Sequence, residues 1–495
     1  MGQAQSTVVP EWLSLPSDPA ELDRHIWTPS YGRDGSGELT IDGQTASSLV
    51  EQFGTPQYVY SEDTFRSRAR EYRIAFEKAF GEYGAEVSVY YAGKAFLCSA
   101  IVRWAREEGL NLDTASGGEL ALGLAAGMPG ERIALHGNNK SENEIRRALE
   151  NGLGRIVADS VPELFMIDRI ARNMGVTAPV MIRITPGVHA ETHDFIATAH
   201  EDQKFGLSLA EGTAALAESD VEASLWSETA VASSDSVAML AALTADALDG
   251  TDLRGFHCHI GSQIFEAHGF GLAAERLLTF ISDVSNRIDT NIPELDLGGG
   301  YGIGYIEGDT PRSADVIARE LARSVADTCS SLGLDIPHIS IEPGRALTGP
   351  AGTTLYTVGT IKDVAIDSGS GRTQVRRYVS VDGGMSDNAR PVLYDADYSV
   401  VVANRAPSGE QVLSRVVGKH CESGDVVVRY CYLPADLTSG DVLAVAATGA
   451  YCWALSSNYN YLPRPGVVAT SSARPPRVIV RGETEEDLFA RDAGL

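Results

Sequence analysis

The chain has 495 residues, of which 43% are apolar and 22% are charged, a balance typical of a folded globular protein with room for two domains. Its formal net charge of −27 at pH 7 argues against nucleic acid or an anionic membrane as the main partner. We expect no transmembrane helix, because no apolar run has the required length, and no signal peptide at the start of the sequence.

The cysteines are scattered, without the CxxC spacing of a zinc site or the density of a disulfide framework. We therefore expect reduced thiols and a cytoplasmic location. The six residues are Cys98, Cys258, Cys329, Cys421, Cys431 and Cys452.

The first part of the chain, residues 1–61, reads as a loose leader followed by short strands at 38–41 and 57–60. From residue 62 to 345, charged amphipathic helices alternate with short apolar strands. Such strands, apolar on both faces, are typical of parallel strands buried on both sides. Eight strand–helix units predict a (β/α)8 TIM-type barrel, with strands at 87–91, 110–113, 132–135, 155–158, 180–184, 255–259, 295–297 and 339–342.

Two further segments complete the predicted organisation. An Ala-, Ser- and acid-rich stretch interrupts the barrel pattern, and we interpret its part at 219–236 as a surface insertion. Residues 346–495 carry alternating β-branched runs broken by Gly, Asp and Pro, which predict an antiparallel β-sandwich or barrel that strand 57–60 joins. The fold class is therefore α/β plus all-β.

Polar residues stand at the carboxyl ends of the predicted barrel strands, where barrel enzymes place their active sites. A lysine at the end of a buried strand is expected to be partly desolvated, which favours the neutral, nucleophilic amine. The residues, in strand order, are Lys94, Asp113, His136, Arg183, His259 with Ser262, Gly298 to Gly300, and Glu342 with Arg345.

These residue types favour pyridoxal phosphate as a cofactor. Gly298, Gly299 and Gly300 allow backbone N–H groups to surround a phosphate, and Ser262 offers a hydroxyl; the alternative is a tight turn. Lys94 could hold the cofactor as an imine. Glu342 could pair with the ring nitrogen, or cap the turn that follows it.

A metal site is the competing interpretation of the histidines. His257 and His259 share a strand face, and an HxH pair on a barrel strand can bind zinc. We expect no metal, because no carboxylate-rich partner set stands at the other strand ends and His259 runs into the phosphate candidate. The sequence HAETH at 189–193 has its Glu at the wrong offset for a zinc helix and is interpreted as a loop.

A series of motifs over residues 53–481 resembles diaminopimelate decarboxylase, a pyridoxal-phosphate family of the alanine-racemase-like barrel class. Gly93 stands where the family usually has Ala, a departure outside the chemistry. The motifs, in order, are YAGKAFL, DTASGGEL, LHGNNKS, HEDQKFG, HCHIGSQIF, LDLGGGYGIGY, EPGRAL, VDGGMSDNARPVLYDADY, GKHCESGD and ATGAYC…SNYN.

The resemblance implies roles for individual residues. Lys94 would form the imine with the cofactor, His259 would stack on its ring and Glu342 would pair with the ring nitrogen. The phosphate contacts would be Ser262, Gly300 and Tyr451, and we add Asp113 and Gly299 to the cofactor-binding set from their strand-end positions. The substrate contacts would be Arg345, Arg390 and Tyr394 for the distal carboxylate and Glu422 for the distal ammonium, with Tyr451 also counted among them.

The resemblance further implies a homodimer in which Cys421 is offered to the neighbouring subunit's active site. The reaction would convert meso-diaminopimelate to L-lysine and CO2, and either Cys421 or Lys94 could deliver the final proton. Two arginines and a tyrosine suit a carboxylate, and a glutamate suits an ammonium.

Other functions stay open at this point. A decarboxylase of ornithine or arginine would use the same lysine and phosphate contacts but would not need a grip on a distal carboxylate. An alanine racemase would be shorter and lack CESGD. A non-catalytic barrel that binds a partner or stores cofactor, and a metal-dependent hydrolase, are more distant alternatives.

Overall fold

The computed structural model describes residues 9–188, 203–215, 234–367 and 373–495. The chain divides into two compact units: one comprises residues 68–302 and 311–344, and the other the described residues up to 67 together with 303–310 and 345–495. The predicted domain boundaries at residues 61 and 345 stay predictions. The motif at 189–193 lies outside the described residues, as does all but the last part of the insertion at 219–236.

The first unit is a closed barrel of eight parallel strands, as predicted. Hydrogen bonding runs β8–β1–β2–β3–β4–β5–β6–β7 and returns from β7 to β8. The strands are β1 Val87–Ala92, β2 Asn111–Thr114, β3 Ile133–Leu135, β4 Arg155–Ala158, β5 Ala178–Thr185, β6 Thr251–His257, β7 Glu294–Asp296 and β8 His338–Ile341.

Amphipathic helices alternate with these strands, and serine side chains begin five of the described ones. Ser116, Ser141, Ser160, Ser236 and Ser313 each accept a hydrogen bond from the backbone N–H three residues on, which satisfies a donor the helix itself cannot pair. The helices are α1 Glu62–Gly81, α2 Ser99–Glu107, α3 Gly117–Ala125, α4 Glu142–Glu150, α5 Val161–Met174, α6 Val237–Ala247, α7 His268–Ile288 and α8 Ala314–Leu332.

Shorter elements complete this unit. A two-residue strand, Leu207–Ser208, pairs in parallel with the end of β5. Turns of 3₁₀ helix lie at Gly93–Ala95 and Gly130–Arg132.

The second unit is mostly sheet. Its main sheet contains, in spatial order, Val426–Pro434, Gln411–Val417, Thr373–Val381, Gly352–Asp367, Gln57–Ser61, Val467–Ser471 and Arg474–Val480. Val442–Val445 also pairs with Gly352–Asp367 and with Val400–Val402. A separate three-stranded sheet comprises Tyr31–Arg33, Leu39–Ile41 and Gln44–Thr45.

The sheet departs from a purely antiparallel arrangement at two places. Gln57–Ser61 runs parallel to Val467–Ser471, and Thr373–Val381 runs parallel to Gln411–Val417. The first pair arises because the early strand lies between two strands of the C-terminal region. The helices of this unit are Ala46–Phe53, Arg345–Thr348, Arg390–Tyr394 and Glu485–Phe489, with 3₁₀ turns at Trp453–Leu455 and Tyr459–Tyr461.

Across the described ranges, no helix is both long enough and apolar enough to span a membrane.

Candidate active site

Glu342 lies at the carboxyl end of β8 between two histidines. Its Oε1 atom is 2.9 Å from Nε2 of His136, and its Oε2 atom is 3.2 Å from Nε2 of His257. His136 follows β3 and also lies 3.5 Å from Oδ1 of Asp113 in β2. All four side chains are buried, and the two imidazole rings meet edge to face at 4.9 Å.

Burial and mutual charge set the ionisation of this cluster. Burial alone would raise the pKa of Glu342, but the two histidines lower it well below its ordinary value. Burial opposes the charge on His136, yet the carboxylates of Asp113 and Glu342 raise its pKa. For His257, burial outweighs the charge of Glu342 and lowers the pKa to about 3. The neighbouring charges therefore favour the ionised form of Glu342 and the protonated form of His136, whereas burial favours the neutral form of His257.

Some polar atoms of the cluster are left without a hydrogen bond of normal geometry. They are Oδ1 of Asp113, Nε2 of His136, Nδ1 of His257 and Oε1 of Glu342, all buried and within the described part of the chain. Nε2 of His136 lies at ion-pair distance from Oδ1 of Asp113 and Oε1 of Glu342, but neither contact has the geometry of a hydrogen bond. Buried polar atoms without partners are costly, so the cluster suits a ligand that brings a hydrogen-bond donor. A protonated pyridine nitrogen has that chemistry, and the residues present fit pyridoxal phosphate.

The glycines after β7 lie against the backbone of the neighbouring strands. A Cβ on Gly299 would lie 2.2 Å from the carbonyl oxygen of Glu342, and one on Gly300 would lie 2.3 Å from that of Gly261. Gly300 also has φ +109°, which disfavours other residues. The glycines thus allow the loops after β6 and β7 to pair, with Ile264 N–H donating to the carbonyl of Gly300. The loop after β6 that pairs with Gly300 in this way also carries the half-buried Ser262.

Lys94 lies in the 3₁₀ turn that follows β1, between buried Gly93 and Ala95. The expectation that burial desolvates this lysine is wrong: Lys94 is exposed, although the residues on either side of it are buried. Its positive charge nevertheless acts on the cluster. Burial raises the pKa of Asp113 to about 6, against the opposing charges of His136 and Lys94.

His259 is partly buried and follows the end of β6. Its Nδ1 atom accepts a hydrogen bond from the backbone N–H of Gly261 at 3.3 Å, which fixes the ring beside the phosphate candidate. Burial, followed by the charge of Lys94, lowers the pKa of His259 well below its ordinary value. A neutral, oriented ring is suited to stacking on a flat cofactor.

The described residues also contain one set of donors that could hold a metal ion. The donor atoms of His136, His257 and Glu342 lie within 4.8 Å of one another. The set differs from the HxH pair that the sequence suggested, because it includes His257 but not His259. A protonated His136 opposes binding of a cation.

The second unit contains the predicted carboxylate contacts. Arg345 and Arg390 are buried and meet at Tyr305: Nη1 of Arg345 donates to its hydroxyl at 2.6 Å, and the Arg390 guanidinium lies 4.8 Å from its ring centroid. Nη1 of Arg390 donates to the hydroxyl of Tyr398 at 2.6 Å. Arg345 also lies over the ring of Tyr451 at 4.8 Å.

The remaining predicted residues of this unit are exposed. They are Tyr394, Cys421 and Glu422. Tyr394 ends the short helix that begins at Arg390. The backbone N–H of Cys421 donates to Oδ1 of Asn460 at 3.2 Å, and the hydroxyl of Tyr459 donates to Oε1 of Glu422, so both residues are held in place within their own unit.

Asp425 links the loops that carry these residues. Its Oδ1 atom accepts from the N–H of Met385 at 2.6 Å, and its Oδ2 atom accepts from the N–H of His420 at 2.8 Å and lies 3.0 Å from its Nδ1. One buried carboxylate therefore ties the Cys421 loop to the loop that leads into Arg390.

Sequence reasoning did not assign Tyr305, Tyr398 or Asp425 to the site. It also noted His136 at a strand end without giving it a role. The strand-end position of His136 was a usable signal. Tyr305 lies five residues beyond Gly300 and Tyr398 four residues beyond Tyr394. Each ends one of the motifs that carry the resemblance, but nothing in those motifs marks it as a contact of an arginine.

Comparison with known proteins agrees with this geometry. Residues 65–225 and 232–349 match the family of pyridoxal-dependent decarboxylases, over its pyridoxal-binding domain. A diaminopimelate decarboxylase of Corynebacterium efficiens is 45% identical over 470 residues, 95% of each chain. One of Mycobacterium tuberculosis is 45% identical over 473 residues, 95% of this chain and 98% of that protein.

The crystal structure of a diaminopimelate decarboxylase from M. jannaschii in complex with L-lysine is also similar. It superposes with a TM-score of 0.80 at 31% identity, over 94% of this chain and 98% of that one. The similarity covers both units of the fold. The chain belongs to the diaminopimelate decarboxylase family of pyridoxal-dependent decarboxylases.

Proposed function

We propose that the protein converts meso-2,6-diaminopimelate to L-lysine and CO2 with pyridoxal phosphate as cofactor. The observation that carries the proposal is the buried Glu342 carboxylate, held between His136 and His257 at the carboxyl end of β8 in a barrel of this family. The named relatives and the lysine complex of a similar structure support the choice of substrate and product.

Bound pyridoxal phosphate supplies an electron sink for the electron pair left by the departing CO2. Glu342, whose pKa the two histidines lower, would hold a proton at the ring nitrogen. Lys94 would be the amine that binds the cofactor covalently, and His259 would pack against its ring. Ser262, Gly299, Gly300, Asp113 and Tyr451 complete the cofactor contacts in this proposal.

The substrate's distal end binds at the arginines. Arg390 is buried, and no carboxylate oxygen of the described residues lies within 4.0 Å of its guanidinium. Buried charges are normally paired, so a ligand carboxylate would complete this site. Arg345 and Tyr394 are the other proposed contacts with that carboxylate, and Glu422 takes the distal ammonium.

The proposal also covers the oligomeric state, the proton donor and the cellular location. The protein is a homodimer in which Cys421 acts in the neighbouring subunit's site, and the exposure of Cys421 supports such a role. Cys421 or Lys94 donates the proton that replaces CO2 on the same carbon. The cytoplasm is the proposed location, in keeping with cysteines that are all free among the described residues.

The test is to supply purified holoenzyme with meso-diaminopimelate, and separately with lysine, ornithine and arginine, while measuring CO2 and the amine product. We expect lysine and CO2 from diaminopimelate alone, loss of turnover in Lys94→Ala, and unchanged turnover in Lys78→Ala, which alters an exposed lysine of α1. Preferred turnover of a substrate without a second carboxylate would replace this proposal with a decarboxylase of another basic amino acid.

A further inference from the structure

Two tyrosines hold the buried arginines of the second unit. The Tyr305 hydroxyl accepts from Arg345, and its ring lies under the Arg390 guanidinium. The Tyr398 hydroxyl accepts from Arg390. A single aromatic pair therefore contacts both cations, and the two arginines are positioned relative to each other through it.

The tyrosines are themselves fixed by packing. Their rings meet edge to face, with centroids 5.3 Å apart. The backbone carbonyl of Tyr305 accepts from Oγ of Ser399, the residue after Tyr398, at 2.9 Å. Both rings are buried. A rotation of either ring would break a contact with the other, so the pair acts as one rigid platform for the guanidinium groups.

A phenol satisfies an arginine without cancelling its charge. A buried carboxylate in either position would pair with the guanidinium and compete with a ligand carboxylate for it. A phenylalanine would leave guanidinium N–H groups without an acceptor and free to rotate. Burial raises the pKa of Tyr398 well above its ordinary value, so this phenol stays neutral near pH 7. The cation of Arg390 consequently stays available.

We propose that Tyr305 and Tyr398 are positioning residues that make the site selective for an amino acid with a second carboxylate, by holding Arg345 and Arg390 oriented and charged for that group. The inference rests on the proposed function for the identity of the substrate. It goes further in assigning selectivity to two residues that need not touch the substrate themselves.

The test compares the holoenzymes of wild type, Tyr305→Phe and Tyr398→Phe. The two probes besides diaminopimelate are pimelate, which has both carboxylates and no amine, and cadaverine, which has both amines and no carboxylate. Each substitution removes one oxygen atom and keeps the ring. The matched control is Tyr378→Phe, another tyrosine of this unit with an arginine, Arg415, over its ring at 5.8 Å.

We expect KM for diaminopimelate and Ki for pimelate to rise about 10-fold to 100-fold in each variant, as befits a lost hydrogen bond to a charged group. kcat and Ki for cadaverine should change less than about threefold, and Tyr378→Phe should match wild type. Equal changes in the pimelate and cadaverine constants, or a fall in kcat with KM unchanged, would overturn the inference. A fall in kcat with KM unchanged is the result that a purely structural role of the tyrosines predicts.

Failure of the proposed function gives a different result. Wild-type enzyme that does not decarboxylate diaminopimelate would contradict the proposed function, and direct calorimetric titration with pimelate would still measure the effect of the two variants. If wild type binds pimelate and both variants bind it equally well, the positioning role is wrong whatever the substrate. If wild type does not bind pimelate at all, the selectivity assigned here is wrong as well.

Discussion

Nε2 of His136 and Oε1 of Glu342 lie 2.9 Å apart, although their strands β3 and β8 are separated in the barrel by two others. The pair crosses the barrel mouth and brings a cation to a buried carboxylate. His136 thereby helps to keep Glu342 ionised at a place where burial alone would protonate it. An ionised Glu342 is what a protonated ring nitrogen needs as its partner.

Replacing Glu342 with Gln should lower kcat by at least about 100-fold, because the amide cannot hold a proton on the ring nitrogen as charge develops in the reaction. Cofactor affinity should fall as well. The measurements are steady-state kinetics at saturating pyridoxal phosphate and a spectroscopic titration of the apoenzyme. Glu320→Gln alters a half-buried glutamate of α8 that pairs with Arg312, and it should leave both unchanged. Near-normal kcat in Glu342→Gln would contradict the role given to this carboxylate.

His257 predicts an acid-sensitive fold. Its pKa is lowered to about 3 in the folded protein from an ordinary 6.5, so the unfolded chain binds the proton more readily. Its contribution to stability is therefore complete above about pH 6.5 and is lost as the pH falls toward 3, by up to about 1.4 kcal/mol per pH unit.

The check is denaturant unfolding of the apoenzyme at pH 7 and pH 5. His257→Gln should show a smaller loss of stability between the two pH values than wild type, whereas His268→Gln, at an exposed histidine, should show the same loss. Identical pH dependence in wild type and His257→Gln would show that this ring does not titrate as described.

Gly300→Ala should weaken binding of pyridoxal phosphate by about tenfold or more. The added Cβ would lie 2.3 Å from the carbonyl of Gly261 and would force the loops after β6 and β7 apart. Gly308→Ala is the control, since Gly308 has a comparable φ of +93° but open space around its Cβ. Comparing Gly300→Ala with Gly308→Ala separates the effect of a positive φ from the effect of the clash with the Gly261 carbonyl. Equal cofactor affinity in Gly300→Ala and Gly308→Ala would show that the close packing at Gly300 does not support cofactor binding.

The Asp425 carboxylate is a tether that links the Cys421 loop to the loop that leads into Arg390. Asp425→Asn replaces one of its two acceptor oxygens by an amide donor that faces an N–H group. Leaving such a buried group unpaired costs about 1 to 3 kcal/mol of unfolding free energy. We also expect lower turnover, since the tether connects the loops of Cys421 and Arg390. Thermal unfolding and kinetics measure the two effects. Asp315→Asn, at an exposed ion pair of α8, should change neither by much, and an equally small effect at Asp425 would contradict the tether.

The sequence predicted the barrel well because parallel strands buried on both faces have a simple apolar signature, and all eight predicted strands are present. The ends were less accurate. Strand six was predicted at 255–259 and is Thr251–His257, because Cys258 and His259 already belong to the loop that pairs with the glycines after β7. Parallel pairing in the second unit was also missed, since it depends on which distant strands meet.

The strand-end rule located most of the cofactor site, but it could not give the contacts between strands. His136 meets Glu342 only because the barrel closes, and Tyr305 meets Arg345 and Arg390 only through tertiary packing. The residues next to Lys94 in its short turn are buried, so the apolar pattern predicted burial there, whereas Lys94 itself is exposed.

The most direct test of the central claim is to locate the lysine that binds the cofactor. The holoenzyme is reduced with borohydride, digested, and its modified peptide is sequenced by mass spectrometry. We expect the reduced cofactor to be attached at Lys94, and we expect no cofactor-labelled peptide from Lys94→Ala. Attachment at another lysine, such as buried Lys140, or no attachment in the wild-type holoenzyme, would contradict it.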